Sequence, residues 1–108
     1  MPRLAIKALS SNRAWRGRHF KTQEYKDYEE IVLLMLPRGL KVPEGKLKLE
    51  LEFGLSSKNA DIDNPIKQFA DILQKMYGFN DKHIYELSVK KVDVEKTKEY
   101  IAFEITKL

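Results

Sequence analysis

Asp61 and Asp63 stand two residues apart, Lys67 follows within a helical turn, and Asp81 comes fourteen residues after that. Carboxylates are the natural ligands of a hard divalent ion such as Mg²⁺, which takes one or two of them together with waters and substrate phosphate. A lysine beside such a pair supplies positive charge where a phosphoryl group gathers negative charge in its transition state. The residue types therefore point to metal-assisted phosphodiester chemistry. In an extended segment, Asp61 and Asp63 would face the same side and converge on one cation. Asp81 would complete the site if the flanking strands ran parallel and close. Each group also has a plain structural role open to it. Asp63 and Asn64 suit a helix cap, and Lys67 with Asp71 suits an i,i+4 surface pair. Asp71 is read as orienting Lys67, and His83 as a loop residue.

These residues need elements to hold them. Residues 3–9 alternate loosely and suit a first strand, after which residues 10–21 lack apolar periodicity and read as a loop. Thr22 is an N-cap with Glu24 in the first turn. Tyr25, Tyr28, Ile31, Val32 and Met35 then recur at helical spacing until Pro37 and Gly39, which predicts a helix over 22–36. Residues 46–55 alternate, with Leu47, Leu49, Leu51 and Phe53 on one face and Lys46, Lys48, Glu50 and Glu52 on the other. That is a strand with one buried face. After the polar stretch 56–60, Asn64 as N-cap and Pro65 at the first helical position open a second helix. Its apolar face carries Ile66, Phe69, Ala70, Leu73, Met76 and Tyr77, and Gly78 ends it. Residues 84–94 and 100–106 return to strand character around a polar turn at 95–98.

The expected order is β-α-β-α-β-β. It implies a single α+β domain over residues 1–108, a four-stranded mixed sheet covered by two helices, with a right-handed parallel crossover at its centre. At 108 residues the chain has room for one modest core. With 43% hydrophobic and 33% charged residues it reads as a soluble globular protein, and no apolar run approaches the ~18 residues of a membrane span. The absence of cysteine removes disulfides, thiolate metal sites and cysteine nucleophiles. A cytoplasmic protein is expected.

The net charge of +4 is unevenly spread. Residues 1–22 carry six basic side chains and no acidic one, whereas the other 86 hold 14 basic and 16 acidic. A local basic excess is the electrostatic footprint of a polyanion partner. Arg13, Arg16, Arg18 and Lys21 interleave with Trp15, His19 and Phe20, whose rings suit stacking on bases or wedging between them. These basic groups with Trp15 and His19, joined by Lys58 in the loop before Asp61, make up the expected nucleic-acid surface.

The run Asp61-x-Asp63-Asn64-x-x-Lys67-x-x-x-Asp71-x-Leu73, followed by Gly78-Phe79-x-Asp81-x-x-Ile84, resembles the RusA family of Holliday junction resolvases, commonly encoded by phages and prophages. Ser11-Asn12-Arg13 and the basic-aromatic segment after it extend the resemblance over nearly the whole chain. It implies a small α+β domain forming a symmetric homodimer on four-way DNA junctions. Each subunit would cut one of two opposing strands with Mg²⁺ or Mn²⁺. The family's essential carboxylates map onto Asp61, Asp63 and Asp81, and its essential lysine onto Lys67. The turn before Ile84 departs from the family's longer Asp-Asp-x-Gln-Val pattern, with His83 in place of the glutamine.

The leading expectation is a metal-dependent, structure-selective DNA endonuclease making paired symmetric nicks. Two alternatives stand beside it. One is a non-catalytic nucleic-acid-binding protein that uses the same basic N-terminal loop, with the acidic residues only bracing a helix. The other is an RNA-directed nuclease.

Overall fold

The computed structural model describes residues 1–17 and 20–108. Its main sheet has four strands in the order β1-β6-β4-β5, where β1 is Arg3–Leu4, β4 Leu47–Leu55, β5 Ile84–Asp93 and β6 Tyr100–Lys107. Strand β4 runs parallel to β5 and antiparallel to β6, and β1 is antiparallel to β6. The expected α+β class and mixed four-stranded sheet are present. Helix α2 (Gln23–Met35) and helix α3 (Ile66–Tyr77) pack on one face of the sheet, with the four-residue helix α1 (Ser11–Ala14) beside them. A second, two-stranded ribbon pairs β2 (Trp15–Arg16) with β3 (Phe20–Lys21).

The alternation in β4 does what it predicts. Leu49, Leu51 and Phe53 turn inward and meet Tyr25, Val32, Phe69, Ile72, Ile101 and Phe103 in one core. Phe69 sits edge-on to both Phe53 and Phe103, with centroids 6.3 and 5.9 Å away. The opposite sheet face is polar, and Lys48 there bridges Glu50 and Glu86 at 3.1 and 3.2 Å. Gly54 lies on this open face because the Tyr100 ring covers it, leaving no space for a Cβ. Tyr100 donates to Glu52 at 2.6 Å, and Arg3 stacks over its ring at 3.9 Å.

Three local expectations need correction. The first strand stops at Leu4, where the chain leaves the sheet. Residues 10–21 are not all loop, since α1 and the β2-β3 ribbon form there; elements of four and two residues are too short to leave a periodic signal. Asn64 does not cap α3 with its side chain. Residues 61–65 form turns, Pro65 occupies the N-cap position with φ −89° and ψ −2°, and the Asn64 carbonyl becomes a hydrogen-bond hub. Thr22 is the expected cap of α2, accepting from the Tyr25 amide at 3.1 Å.

Candidate active site and nucleic-acid interface

The chain leaves β4 at Leu55 and turns through exposed Asp61 and Asp63 into α3. The Asn64 amide donates to the Asp61 carbonyl and the Ile66 amide to the Asp63 carbonyl, both at 3.3 Å, so backbone turns rather than an extended strand present the two carboxylates. Lys67 follows on the first turn of α3, where unpaired amides and the positive helix end already favour an anion. Its side chain is 64% exposed yet directed: the ammonium lies 4.5 Å from the centre of the Trp15 ring and 3.5 Å from Asp71. The expectation that Asp71 orients Lys67 agrees with this geometry, and Trp15 adds a second wall.

Trp15 stands edge-on to Tyr25, with centroids 5.0 Å apart, and its indole N–H is buried without a hydrogen-bond partner among the described residues. Tyr25 and Lys67 thus hold the Trp15 ring from two sides. Phe20, 72% exposed, presents its ring to solvent in the same segment. Burial pushes the Tyr25 hydroxyl well above its usual range, with Asp71 and Glu29 pushing the same way. It keeps its proton and donates to the Gln68 carbonyl at 3.4 Å.

A polar clasp fixes this surface to α3. Gln68 is fully buried. Its amide nitrogen donates to the carbonyls of Leu9 at 2.6 Å and Asn64 at 2.7 Å, while its oxygen accepts from the Ser11 hydroxyl at 3.0 Å. The Ser11 hydroxyl and amide also reach the Asn64 carbonyl, at 2.9 and 3.0 Å. The basic N-terminal segment is thereby tied to the turn that carries the aspartates. Gln68 was not among the expected site residues. A signal for it exists: it stands four residues before Ile72, inside the stripe that α3 buries.

Of the expected nucleic-acid groups, Arg13 pairs with Glu24 at 3.2 Å and Lys21 with Glu29 at 3.0 Å. Arg16 is exposed with no carboxylate partner among the described residues, and Lys58 is exposed in the loop before Asp61. That loop is strapped to β5 by Lys91, whose ammonium donates to the carbonyls of Lys58 at 3.1 Å and Ala60 at 2.6 Å. Arg18 and His19 lie outside the described residues. Glu29 also receives Lys75 at 3.0 Å. Partial burial works to raise its carboxyl, but hydrogen bonds and charge from Lys21 and Lys75 win and hold it below the usual carboxylate range. A cleft of about 470 Å³ opens beside Asp61, walled by Ile6, Leu9, Tyr28 and Leu55 with Arg13 and Asn64 at its polar side.

Asp81 is elsewhere. It opens the short 3₁₀ turn Asp81–His83 beyond the far end of α3, where its amide donates to Gln74 at 3.0 Å and its carboxylate is exposed. His83 is exposed in the same turn and lines a second cleft of about 540 Å³ with Tyr77, Phe79 and Asn80. The expected convergence of Asp61, Asp63 and Asp81 within one chain is not found. Among the described residues no three His, Asp or Glu side chains gather as a metal site. The cause is topological. In a β-α-β crossover with parallel strands, the end of β4 and the start of β5 lie at opposite edges of the layer. The twelve residues of α3 separate the two by roughly 18 Å.

Residues 6–104 match the family described as Endodeoxyribonuclease RusA. The chain belongs to that family. RusA-type enzymes are nucleases that act on branched DNA junctions, so the basic segment, the exposed aspartates and Lys67 sit in a chain with a nuclease ancestry. No curated protein is similar enough to the chain to count as a match. Among the described residues no helix is long and apolar enough to cross a membrane.

Proposed function

We propose that the chain is a metal-dependent, structure-selective DNA endonuclease that resolves four-way junctions by paired, symmetric nicks as a homodimer. The observation that carries the reading is the gathering of Asp61, Asp63, Lys67 and the clasped basic segment at one end of α3 in a RusA-family chain. The exposed carboxylates of Asp61 and Asp63 are hard oxygen donors of the kind Mg²⁺ or Mn²⁺ takes, two protein ligands with room for water and phosphate. Among the described residues no third carboxylate gathers with this pair as a metal site. Asp81 of the partner subunit is the group that would complete each site, which makes the dimer part of the catalytic unit. Bound there, the divalent ion supplies neutralisation of phosphate charge and activation of the attacking water.

The chain's own groups have definite tasks in this reading. The first turn of α3 offers unpaired amides and a positive dipole end to the scissile phosphate. Lys67, steadied by Trp15 and Asp71, adds charge beside the phosphoryl oxygens as water enters in line and the opposite P–O bond opens. Arg16, Lys58 and Phe20 face solvent, where the backbone and bases of a junction arm would meet them. The non-catalytic reading draws support from the separation of Asp81 from the aspartate pair, and one assay decides between the two.

That assay uses a synthetic four-way DNA junction with Asp63→Asn beside the parent protein. The variant is expected to bind as tightly or more tightly and to make no nicks in Mg²⁺, while the parent makes symmetric pairs. Unchanged cleavage by Asp63→Asn would sink the proposal, and strong binding by a parent protein that never nicks would favour the binder. Faster cutting of a folded RNA would redirect the reading to RNA.

A further inference from the structure

Strand β5 is an edge of the sheet, ten residues long and free of proline. Such an edge offers a row of unpaired amides and carbonyls to any chain that can pair with it, and proteins that leave one open usually blunt it. Here the helical layer also stops short of the edge. Leu87 and Val89 lie beside Leu49 and Leu51 on the helix-bearing face, yet Leu87 is 49% exposed and its neighbour Tyr85 62%. On the other face Glu86 and Lys90 lie beside Lys48 and Glu52.

The chemistry of this strand mirrors itself about Ser88. Antiparallel pairing of two copies with Ser88 opposite Ser88 of the partner subunit sets Glu86 against the partner's Lys90 and Leu87 against the partner's Val89. Opposite charges then meet on the polar face and branched apolar groups on the helix face, each a favourable cross-strand pair. A register shifted by one residue would set charged side chains against apolar ones, because successive residues face opposite sides.

We infer that a second copy of this chain docks antiparallel along β5, in the register centred on Ser88, to make one continuous eight-stranded sheet. The inference rests on the homodimeric reading above and names the surface that reading needs. Its geometry agrees with the division of the aspartates. Asp93, at the end of β5, is paired with Leu55, and Lys91 holds Ala60, the residue before Asp61. Antiparallel docking brings the partner's Asp81, at the start of its own β5, to this same end of the molecule.

Because the chain has no cysteine, Ser88→Cys introduces a single thiol. Residues opposite each other in an antiparallel pair have Cα atoms about 4.5–5.5 Å apart, within the span of a disulfide. Mild oxidation is expected to convert Ser88→Cys to a covalent dimer and to leave Lys90→Cys, whose two copies stand four residues apart along the paired strands, uncrosslinked. By sedimentation, Glu86→Lys is expected to become monomeric, and the double variant Glu86→Lys with Lys90→Glu to return to a dimer. A Ser88→Cys protein that crosslinks no faster than Lys90→Cys overturns the inference. So does a dimer that survives Glu86→Lys, which would move the contact elsewhere, for instance to exposed Ile31 and Leu34 of α2. Junction cleavage by a protein that fails both arms overturns the interface and spares the nuclease reading. Crosslinking at Ser88 in a protein that never cuts supports the interface and removes the nuclease reading.

Discussion

Gln68 joins segments 57 residues apart in sequence, and its side chain leaves no hydrogen-bonding atom idle in a fully buried site. Replacing it with leucine keeps the volume roughly constant and strands the Leu9 carbonyl and part of the bonding of Asn64 and Ser11. Unpaired buried polar groups cost about 1–3 kcal/mol each. Gln68→Leu is therefore expected to lower stability by about 2–4 kcal/mol, read from urea unfolding. It should also expose residues 1–17 to proteolysis before the core opens. A cost under about 0.5 kcal/mol would show that the clasp is incidental. Asp61, Asp63 and Lys67 could be picked from the sequence because their types are unusual for the place they occupy. Gln68 is hidden in the sequence because a polar member of an apolar stripe breaks its periodicity and its partners lie far away in the chain. The packing of Trp15 is hidden for a related reason: its type suits base stacking, and only the fold reveals that Tyr25 and Lys67 lie against its ring.

Glu29 does at the level of elements what Gln68 does for single segments. From α2 it receives Lys21 of β3 and Lys75 of α3, both at 3.0 Å, so one carboxylate fastens the ribbon and both long helices. Its carboxyl is held lower in the folded chain than in the unfolded one. A group shifted down stabilises the fold fully above its unfolded pKa, about 4.3 for glutamate, and that contribution is lost as pH falls through the lower folded value. Glu29→Gln should thus cost about 1 kcal/mol near neutrality and nothing in stronger acid. Thermal melts of both proteins as a function of pH would check it, and a gap that stays constant into acid would refute it. At this scale the sequence was a good guide where apolar patterning was long: α2, β4, α3, β5 and β6 all form within a residue or two of their expected bounds. It failed at α1, β1 and the cap of α3, where a few residues take their conformation from tertiary hydrogen bonds.

For the whole molecule the decisive property is strand direction. The sequence pattern implies parallel pairing of β4 with β5, and the pairing that forms carries Asp81 to the end of the sheet opposite Asp61 instead of toward it. If each site draws Asp61 and Asp63 from one subunit and Asp81 from its partner, two dead variants can repair each other. In a mixed dimer of Asp63→Asn and Asp81→Asn chains, one site holds both substitutions and the other holds neither. Mixing the two inactive proteins on a four-way junction should restore cutting at a single strand per junction, resolved on a denaturing gel. Sites built within single chains would leave every mixed dimer inert, so the absence of any restored nick would rule out the shared site.

The distance that α3 sets between the aspartate pair and Asp81 bears on supply as well as on geometry. If each site is shared between subunits as proposed, a half-site is useless alone, dilute chains would carry no cutting power, and activity would climb with the square of concentration until pairing saturates. A nuclease arranged in this way stays harmless at trace expression and becomes effective over a narrow range of dosage, without any inhibitor to hold it back.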